Sequence, residues 1–309
     1  LRELLKRGVG HFRRHGSLAA LRHGVVHYGL FPLAKASRHV APEAQWYDAS
    51  LARFFFWGIH KRWPSDRPLF NDAWVRIRTS GEIDDPLRVL VSDKELVKLY
   101  VKATVGDAYN VPTLAVLRSV AEARAHDYPP DCVIKPTHGS GQLILRRGGS
   151  PVALDEIESW FGMNYYSNGL RERNYRTLRP KVIVEPILFG DSSLSDFKFI
   201  CVRGVPKLIQ VDLDRHGDHT RQYFDPVWQR QEFELMYPTY PGKVERPANL
   251  DDMLRVAAEL SRPFGLIRVD LYTDGSRCHV GEITNCHANG CEIFASPADE
   301  RRASEVLFS

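Results

Sequence analysis

GLIRVDLYTDGSRCHVGEIT, residues Gly265–Thr284, reads as a β-hairpin that carries chemistry on one face. Alternation along its first strand puts Arg268 and Asp270 on one side and Ile267, Val269 and Leu271 on the other. On the second strand Val280, Glu282 and Thr284 share a face. A three-residue loop of Asp274, Gly275 and Ser276, with Gly275 in the left-handed position, pairs Thr273 with Arg277, Asp270 with Val280 and Arg268 with Glu282. Both carboxylates then join the arginine on one face, whereas a two-residue loop would separate them. Two carboxylates, an arginine and the Asn285 amide form a hard oxygen set suited to Mg²⁺ whose remaining positions are filled by phosphate. The structural alternative is an ion pair on an exposed hairpin.

The sequence continues as CHVGEITNCHANGCE, Cys278–Glu292, holding three of the five cysteines. Their C-x7-C-x4-C spacing lacks the tight ligand pairs of a zinc site, and alternation turns Cys278 away from Glu282. Nothing in the run marks a depressed thiol pKa, so a cysteine nucleophile has no support. His287 and Asn289 are candidates for substrate contact.

Upstream, VIKPTHGSGQLILRR delivers Lys135 at a strand end, followed by Gly139, Ser140 and Gly141. Glycines let backbone N–H groups approach an anion, and the lysine adds charge. The stretch is not a P-loop, and a Gly-x-Gly run is also an ordinary hairpin turn. VIVEPIL brings an apolar strand to Glu185 and a short apolar linker, whose backbone can meet the edge of a base; a buried strand end is the plain alternative. SDKELVKLYVKATVG reads as a helix capped by Ser92 or Asp93 and ending near Gly106.

At 309 residues the chain is long enough for a sizeable core. Its texture divides into a basic helical region over 1–60, a helical linker region over 61–130, a small α+β unit over 131–190 and a larger one over 191–309. In the last, NLDDMLRVAAELSRPFG is a helix with Asn249 as cap. Turn signals between short strands indicate an α+β fold with mostly antiparallel sheets. An odd cysteine count without regular spacing fits a reducing compartment.

No run of eighteen apolar residues exists, and the start of the sequence lacks a secretory signal pattern, so the expected location is cytoplasmic. Residues 1–40 carry eight Lys/Arg against Glu3 alone, with five histidines. Such a segment suits peripheral contact with the anionic inner membrane, or the solvated face of an ordinary helix. No nucleic-acid signature accompanies the charge.

The order of the elements is more telling than any one of them: a strand lysine with a Gly-rich loop, a strand ending in an acid, then Asp and Glu on a hairpin. It resembles the ATP-grasp superfamily, and SDKELVKLYV, VIKPTHGSG, VIVEPIL, DFKFICVRGVPKLI, QYFDPVW, IRVDLY and GEIT together resemble its TupA-like branch, associated with teichuronopeptide and other surface polysaccharides. The resemblance implies ATP clamped between two α+β subdomains, with Lys94 and Lys135 on the phosphates and His138, Gly139, Ser140 and Gly141 as the covering loop. It implies adenine held at Glu185, Ile187 and Leu188, and Mg²⁺ on Asp270 and Glu282. Arg268 and Lys198 are the implied catalytic cations. Family members commonly end the metal set with Glu-x-Asn; here Thr284 takes that place and Asn285 comes one residue later, so both stand as candidates.

The implied activity is a carboxylate–amine ligase working through an acylphosphate. It would join an amino acid or amine to a uronic acid or other carboxylate of a glycan precursor, including a lipid-linked one. The alternatives are a kinase on the same fold and a non-catalytic glycan-binding protein. Lys61, Arg62, Arg76 and Arg78 are candidates for an acidic sugar, or members of a solvated face.

Overall fold

A computed structural model describes residues 41–168, 170–190, 195–213 and 219–309, together with residue 36. The basic segment on which membrane contact was expected therefore lies outside the described residues, apart from Ala36. Helices come first: α1 (Gln45–His60), α2 (Phe70–Thr79), α3 (Pro86–Ser92) and α4 (Leu96–Thr104). Then follow β1 (Ala115–Leu117), α5 (Val120–Ala125), β2 (Cys132–Pro136), β3 (Ile144–Arg146), α6 (Leu154–Phe161), α7 (Tyr165–Asn168) and β4 (Val182–Glu185). The remainder holds β5 (Ser195–Val202), β6 (Val205–Leu213), β7 (Thr220–Phe224), β8 (Arg230–Gln231), α8 (Leu250–Ser261), β9 (Leu266–Thr273), β10 (Cys278–Thr284) and α9 (Pro297–Phe308). Among the described residues no helix is long and apolar enough to cross a membrane.

Two sheets result, both antiparallel throughout: β1-β4-β2-β3 and β10-β9-β5-β6-β7-β8. This is the α+β architecture expected. The small sheet takes its edge strand β1 from residues ahead of 131, within the stretch read as a helical linker. Ile134, Val182 and Val184 of that sheet pack on Ile157 and Trp160 of α6.

The large sheet is covered on both faces. One face sets Phe197, Phe199, Val269 and Leu271 against Met253, Val256 and Leu260 of α8. The other sets Ile200, Leu208 and Tyr223 against Phe70, Trp74 and Ile77 of α2 and Leu307 of α9. Each large side chain buried this way stabilises the fold by roughly 1.5–3 kcal/mol. Along β5 and β9 this second face changes from apolar to charged, from Ile200 to Lys198 and from Leu266 to Arg268 and Asp270, and the candidate site lies there.

The β9–β10 hairpin differs from its expected register. Thr273 pairs with Cys278, so the loop has four residues, Asp274 to Arg277. Asp274 Oδ1 makes the longer loop, accepting from the backbone N–H groups of Ser276 and Arg277 at 2.9 and 2.8 Å. Left uninterrupted, this register would oppose Glu282 to Val269 and turn its carboxylate into the apolar core. Instead the ladder shifts between Val280 and Glu282. The extra residue is Gly281, and Glu282 comes to face Asp270 with Thr284 facing Arg268. Only glycine fits there, because a Cβ at 281 would lie 2.5 Å from Cε2 of Tyr272.

Of the two residues offered as cap for α4, Asp93 is the one that serves, its Oδ1 accepting from the N–H groups of Glu95 and Leu96 at 2.8 and 3.1 Å. Asn249 stands at the cap position of α8, but its side-chain oxygen accepts from the Thr273 hydroxyl at 3.0 Å.

Candidate active site

Charged residues close into a circuit on the second face of the large sheet. Arg268 clasps Asp270 with both oxygens, Nε to Oδ1 at 2.7 Å and Nη2 to Oδ2 at 2.8 Å. Its Nη1 donates to His287 Nδ1 at 2.7 Å, and His287 Nε2 meets Glu292 Oε2 at 2.8 Å. A guanidinium only donates, so Nδ1 accepts and a neutral His287 carries its proton on Nε2. Glu292 receives Arg221 Nη1 at 2.9 and 3.0 Å, and Arg221 Nε reaches Asp212 at 2.6 Å. Lys198 returns the circuit to its start, pairing with Asp196 and standing 3.4 Å from Asp212 and 4.0 Å from Asp270.

The electrostatics follow from burial and pairing. Burial lowers the His287 pKa, keeping the imidazole neutral between its two partners. Burial alone would raise Glu292, but the hydrogen bond from His287 and the charge of Arg221 pull it down to about 2. Arg268 is held protonated because the Asp270 charge outweighs the cost of burying a guanidinium. His287 was expected to touch substrate; at 2 % exposure it is instead the link that aims Arg268.

Across from this face, the small sheet and α4 assemble a cationic cluster. Lys135 and Lys98 grip the two oxygens of buried Glu185 at 2.7 and 2.6 Å. The Glu185 carboxylate is thus engaged by lysines, and the chain leaves β4 through Pro186 and Ile187 into a short turn over Leu188–Gly190. Lys94 reaches the carbonyl of Gly139 and lies within electrostatic range of Glu282 and Lys135; burial lowers its pKa. The turn carrying it is bolted to the end of β2, with the Lys94 N–H on the Thr137 carbonyl at 3.1 Å and Lys181 on Asp93 at 3.0 Å.

The Gly-rich loop also corrects an expectation. His138 turns inward, with Nε2 at the Trp160 carbonyl (3.1 Å) and Nδ1 accepting from the Lys181 N–H (3.4 Å). Its imidazole anchors the loop from within, and along the loop the chain goes from buried Gly139, whose carbonyl receives Lys94, to exposed Gly141. Gly141 has φ +87°, and a Cβ at Gly139 would stand 2.8 Å from Met163 Cε.

Thr284 and Asn285, the two candidates for the last metal position, have different surroundings. Asn285 is buried on the far side, its amide donating to the Arg88 carbonyl at 2.9 Å and Ser92 Oγ at 3.0 Å, its oxygen accepting from Arg88 Nη1 at 3.0 Å. Both of its amide hydrogens and one lone pair of its oxygen are thus committed to α3, which places it as a structural residue although it stood among the candidate ligands. Thr284 shares the face of Glu282, and its hydroxyl oxygen is buried without a hydrogen-bond partner among the described residues. Asp270, Glu282 and Thr284 are an all-oxygen set, which fits Mg²⁺. Among the described residues no group of three His, Cys, Asp or Glu converges to hold a metal ion. The cysteines do not converge: Cys278 sits in the core beside α8, and Cys286 packs at the Trp74 carbonyl.

Of the basic residues considered for an acidic sugar, Arg62 is taken by Asp72 and Glu300, Arg76 by the carbonyls of Ser65 and Arg67, and Lys61 reaches the Gly58 carbonyl. Arg78 alone of the four is deeply buried. Sequence reading missed Lys98, Asp196, Asp212, Arg221 and Glu292. Lys98 had a signal, lying one helical turn after Lys94. Asp196 and Asp212 had one too, since alternation puts them on the faces of Lys198 and Gln210 respectively.

Residues 74–304, about three quarters of the chain, match the family model described as TupA-like ATPgrasp. Nothing matches among curated proteins. Solved structures give distant overlaps: the D-alanine–D-alanine ligase of Helicobacter pylori at 15% identity and TM-score 0.39, covering 71% of this chain and 61% of that one. The Bacillus anthracis D-alanine–D-alanine ligase follows at 15% and 0.41, covering 70% and 62%, and the D-cycloserine synthetase DcsG at 16% and 0.39, covering 72% and 70%. The chain thus spans about three fifths of the length of either D-alanine–D-alanine ligase. Because the family match runs from within α2 to within α9, taking in both sheets and the whole charged circuit, the chain belongs to the TupA-like ATP-grasp family.

Proposed function

We propose that the protein is an ATP- and Mg²⁺-dependent ligase that joins an amine to a carboxylate through an acylphosphate. The observation that carries the reading is the opposition of Asp270 and Glu282 across the β9–β10 ladder, with the Thr284 hydroxyl beside them. Asp270, Glu282 and Thr284 would hold the ion, which when bound neutralises phosphate charge. Lys94 and Lys135 stand at the Gly139–Gly141 loop, where backbone N–H groups and two cations suit a polyphosphate. A solved relative, the Bacillus anthracis ligase, is described as complexed with ATP, and the ATP-grasp ligase PsnB as complexed with Mg and ADP.

The residues of this chain act by position and charge. Arg268, pinned by Asp270 on one side and His287 on the other, presents a fixed cation to the anion that forms as a carboxylate oxygen takes the γ-phosphoryl group. The amine then attacks the acyl carbon and inorganic phosphate leaves, the same cation stabilising the oxyanion. Preorganisation of this kind needs no reorganisation at the moment of reaction. The carboxylate proposed is a uronic acid or related acid of a surface-polysaccharide precursor, on the strength of the family resemblance. Its lipid-linked form would suit the basic residues 1–40.

Melting temperature with and without millimolar Mg·ATP is the first test. No rise, or a rise left intact in Lys135→Ala and Asp270→Asn, ends the ATP reading. A screen of uronic acids against amino acids for ADP release then separates activities. Release that needs both an acid and an amine supports the ligase; a stable phosphorylated product formed without an amine supports a kinase instead.

A further inference from the structure

One face of α2 carries a row of buried polar atoms without hydrogen-bond partners among the described residues. Asn71, Trp74 and Arg78 lie at helical spacing, and Asn71 Oδ1, Trp74 Nε1, Arg78 Nε and Arg78 Nη1 are all unsatisfied. Arg78 is the most demanding of them. A guanidinium at 3 % exposure with two idle donors costs far more than an idle amide, and its third nitrogen reaches only the carbonyl of Leu170. A carboxyl group is close by: burial of Glu172, 8 % exposed, raises its pKa, the Arg78 charge and the Asn289 hydrogen bond oppose that, and no ion pair joins Glu172 to Arg78 among the described residues.

Glu172 is tied to the turn that follows β10. Asn289 donates Nδ2 to Glu172 Oε1 at 3.1 Å and leaves its own Oδ1 buried and unsatisfied. The turn bearing Asn289 follows β10 and is pressed onto α2, where a Cβ at Gly290 would meet Val75 Cγ2 at 2.6 Å. The rings of Tyr165 and Tyr175 meet at 4.6 Å, tilted to one another, and Tyr165 Cδ2 lies 3.3 Å from where a Cβ at Gly139 of the Gly-rich loop would stand. That same strand, β10, carries Glu282 and Thr284, so the turn sets Asn289 just past the end of the proposed metal-binding strand.

We infer that Arg78, with Glu172 and Asn289 facing it, is the subsite for an α-amino acid, Arg78 taking its carboxylate and Glu172 with Asn289 Oδ1 taking its ammonium. The idle groups are of both kinds, donors on a cation and an acceptor beside an anion, and a zwitterion satisfies both at once. A simple amine would leave Arg78 idle, and a dicarboxylate would set a second anion against Glu172. The inference rests on the ligase reading and adds to it which substrate is the amino acid: one held by its carboxylate presents its nitrogen, so it is the nucleophile and not the acid that is phosphorylated.

The test uses the full chain with Mg·ADP and, as probes, both enantiomers of the protein amino acids, by thermal shift and then calorimetry. The expected result is that at least one amino acid binds, while its carboxamide and its deaminated acid each bind at least about tenfold more weakly. Arg78→Lys weakens that amino acid at least about tenfold and leaves the Mg·ADP shift as in the native protein. The comparison of acid with carboxamide needs no variant, and decides the matter if Arg78→Lys does not fold. The inference is overturned if Mg·ADP binds but no amino acid does, or if the carboxamide or Arg78→Lys binds as well as the native pair. Absence of any Mg·ADP shift sinks the ligase reading itself, a separate outcome.

Discussion

Asp270 and Glu282 face one another across the β9–β10 ladder because Gly281 is bulged out of it, with its Cα against the ring of Tyr272. Gly281→Ala would bring a methyl to 2.5 Å from that ring. The expected outcome is a loss of about 1–3 kcal/mol in urea denaturation, from overpacking. Displacement of Glu282 would also abolish the Mg·ADP-dependent rise in melting temperature. A variant that keeps both its stability and its nucleotide response would show that the bulge does not set the site.

Thr284 and Asn285 separate metal binding from folding. Asn285→Ala removes three hydrogen bonds and leaves Arg88 under-satisfied in the interior, so it should cost about 3 kcal/mol. Thr284→Ala removes a hydroxyl that bonds nothing among the described residues, so stability should stay within about 0.5 kcal/mol while Mg²⁺-dependent nucleotide affinity falls about tenfold. Thr284→Asn should restore much of that affinity. Denaturant midpoints and nucleotide titrations on the same three proteins check both halves.

Glu185 holds two lysines together that repel without it. Glu185→Gln leaves Lys98 and Lys135 buried with no counter-charge, and a loss of about 3–5 kcal/mol is expected. Lys98→Met should cost less, because Lys135 still neutralises the carboxylate. Equal losses in the two variants would argue that the triad is not read correctly here.

Glu292 makes part of the stability depend on pH. Its pKa in the folded state, about 2, is below its ordinary 4.5, so its contribution is full above about pH 4.5 and is lost as pH falls toward 2. Glu292→Gln should therefore be destabilised relative to the native protein at pH 7, and the gap between them should narrow below pH 4.5. A gap that is constant from pH 7 to pH 3, in chemical denaturation, would rule out the carboxylate as its source.

Much of the fold was legible along the chain. The short strands with turn residues between them, the helix opened by Asp93 and the hairpin of β9 and β10 are local patterns, set by alternation and by capping chemistry. The hairpin's length was not legible, because a three-residue and a four-residue loop both satisfy Asp274–Gly275–Ser276, and a bulge erases the parity by which they would be told apart. The same limit applies to His138 and His287. Nothing near them in sequence says that the Trp160 carbonyl and the pair Arg268 and Glu292 will claim their nitrogens.

By itself the sequence determined the class of fold and the order of the candidate site's parts, from Lys94 and Lys135 through the Gly139–Gly141 loop to Asp270 and Glu282. These depend on periodicity and on residue type, which are local. Only the tertiary structure decided which groups are spoken for: Asn285 by Arg88, Glu185 by two lysines, Arg268 by Asp270 and His287. It likewise decided which are left over, Thr284 and Arg78. The physical reason is that a polar side chain's partners come from wherever burial brings them, across separations no local pattern spans, and an unsatisfied group is defined only once every other partner is in place.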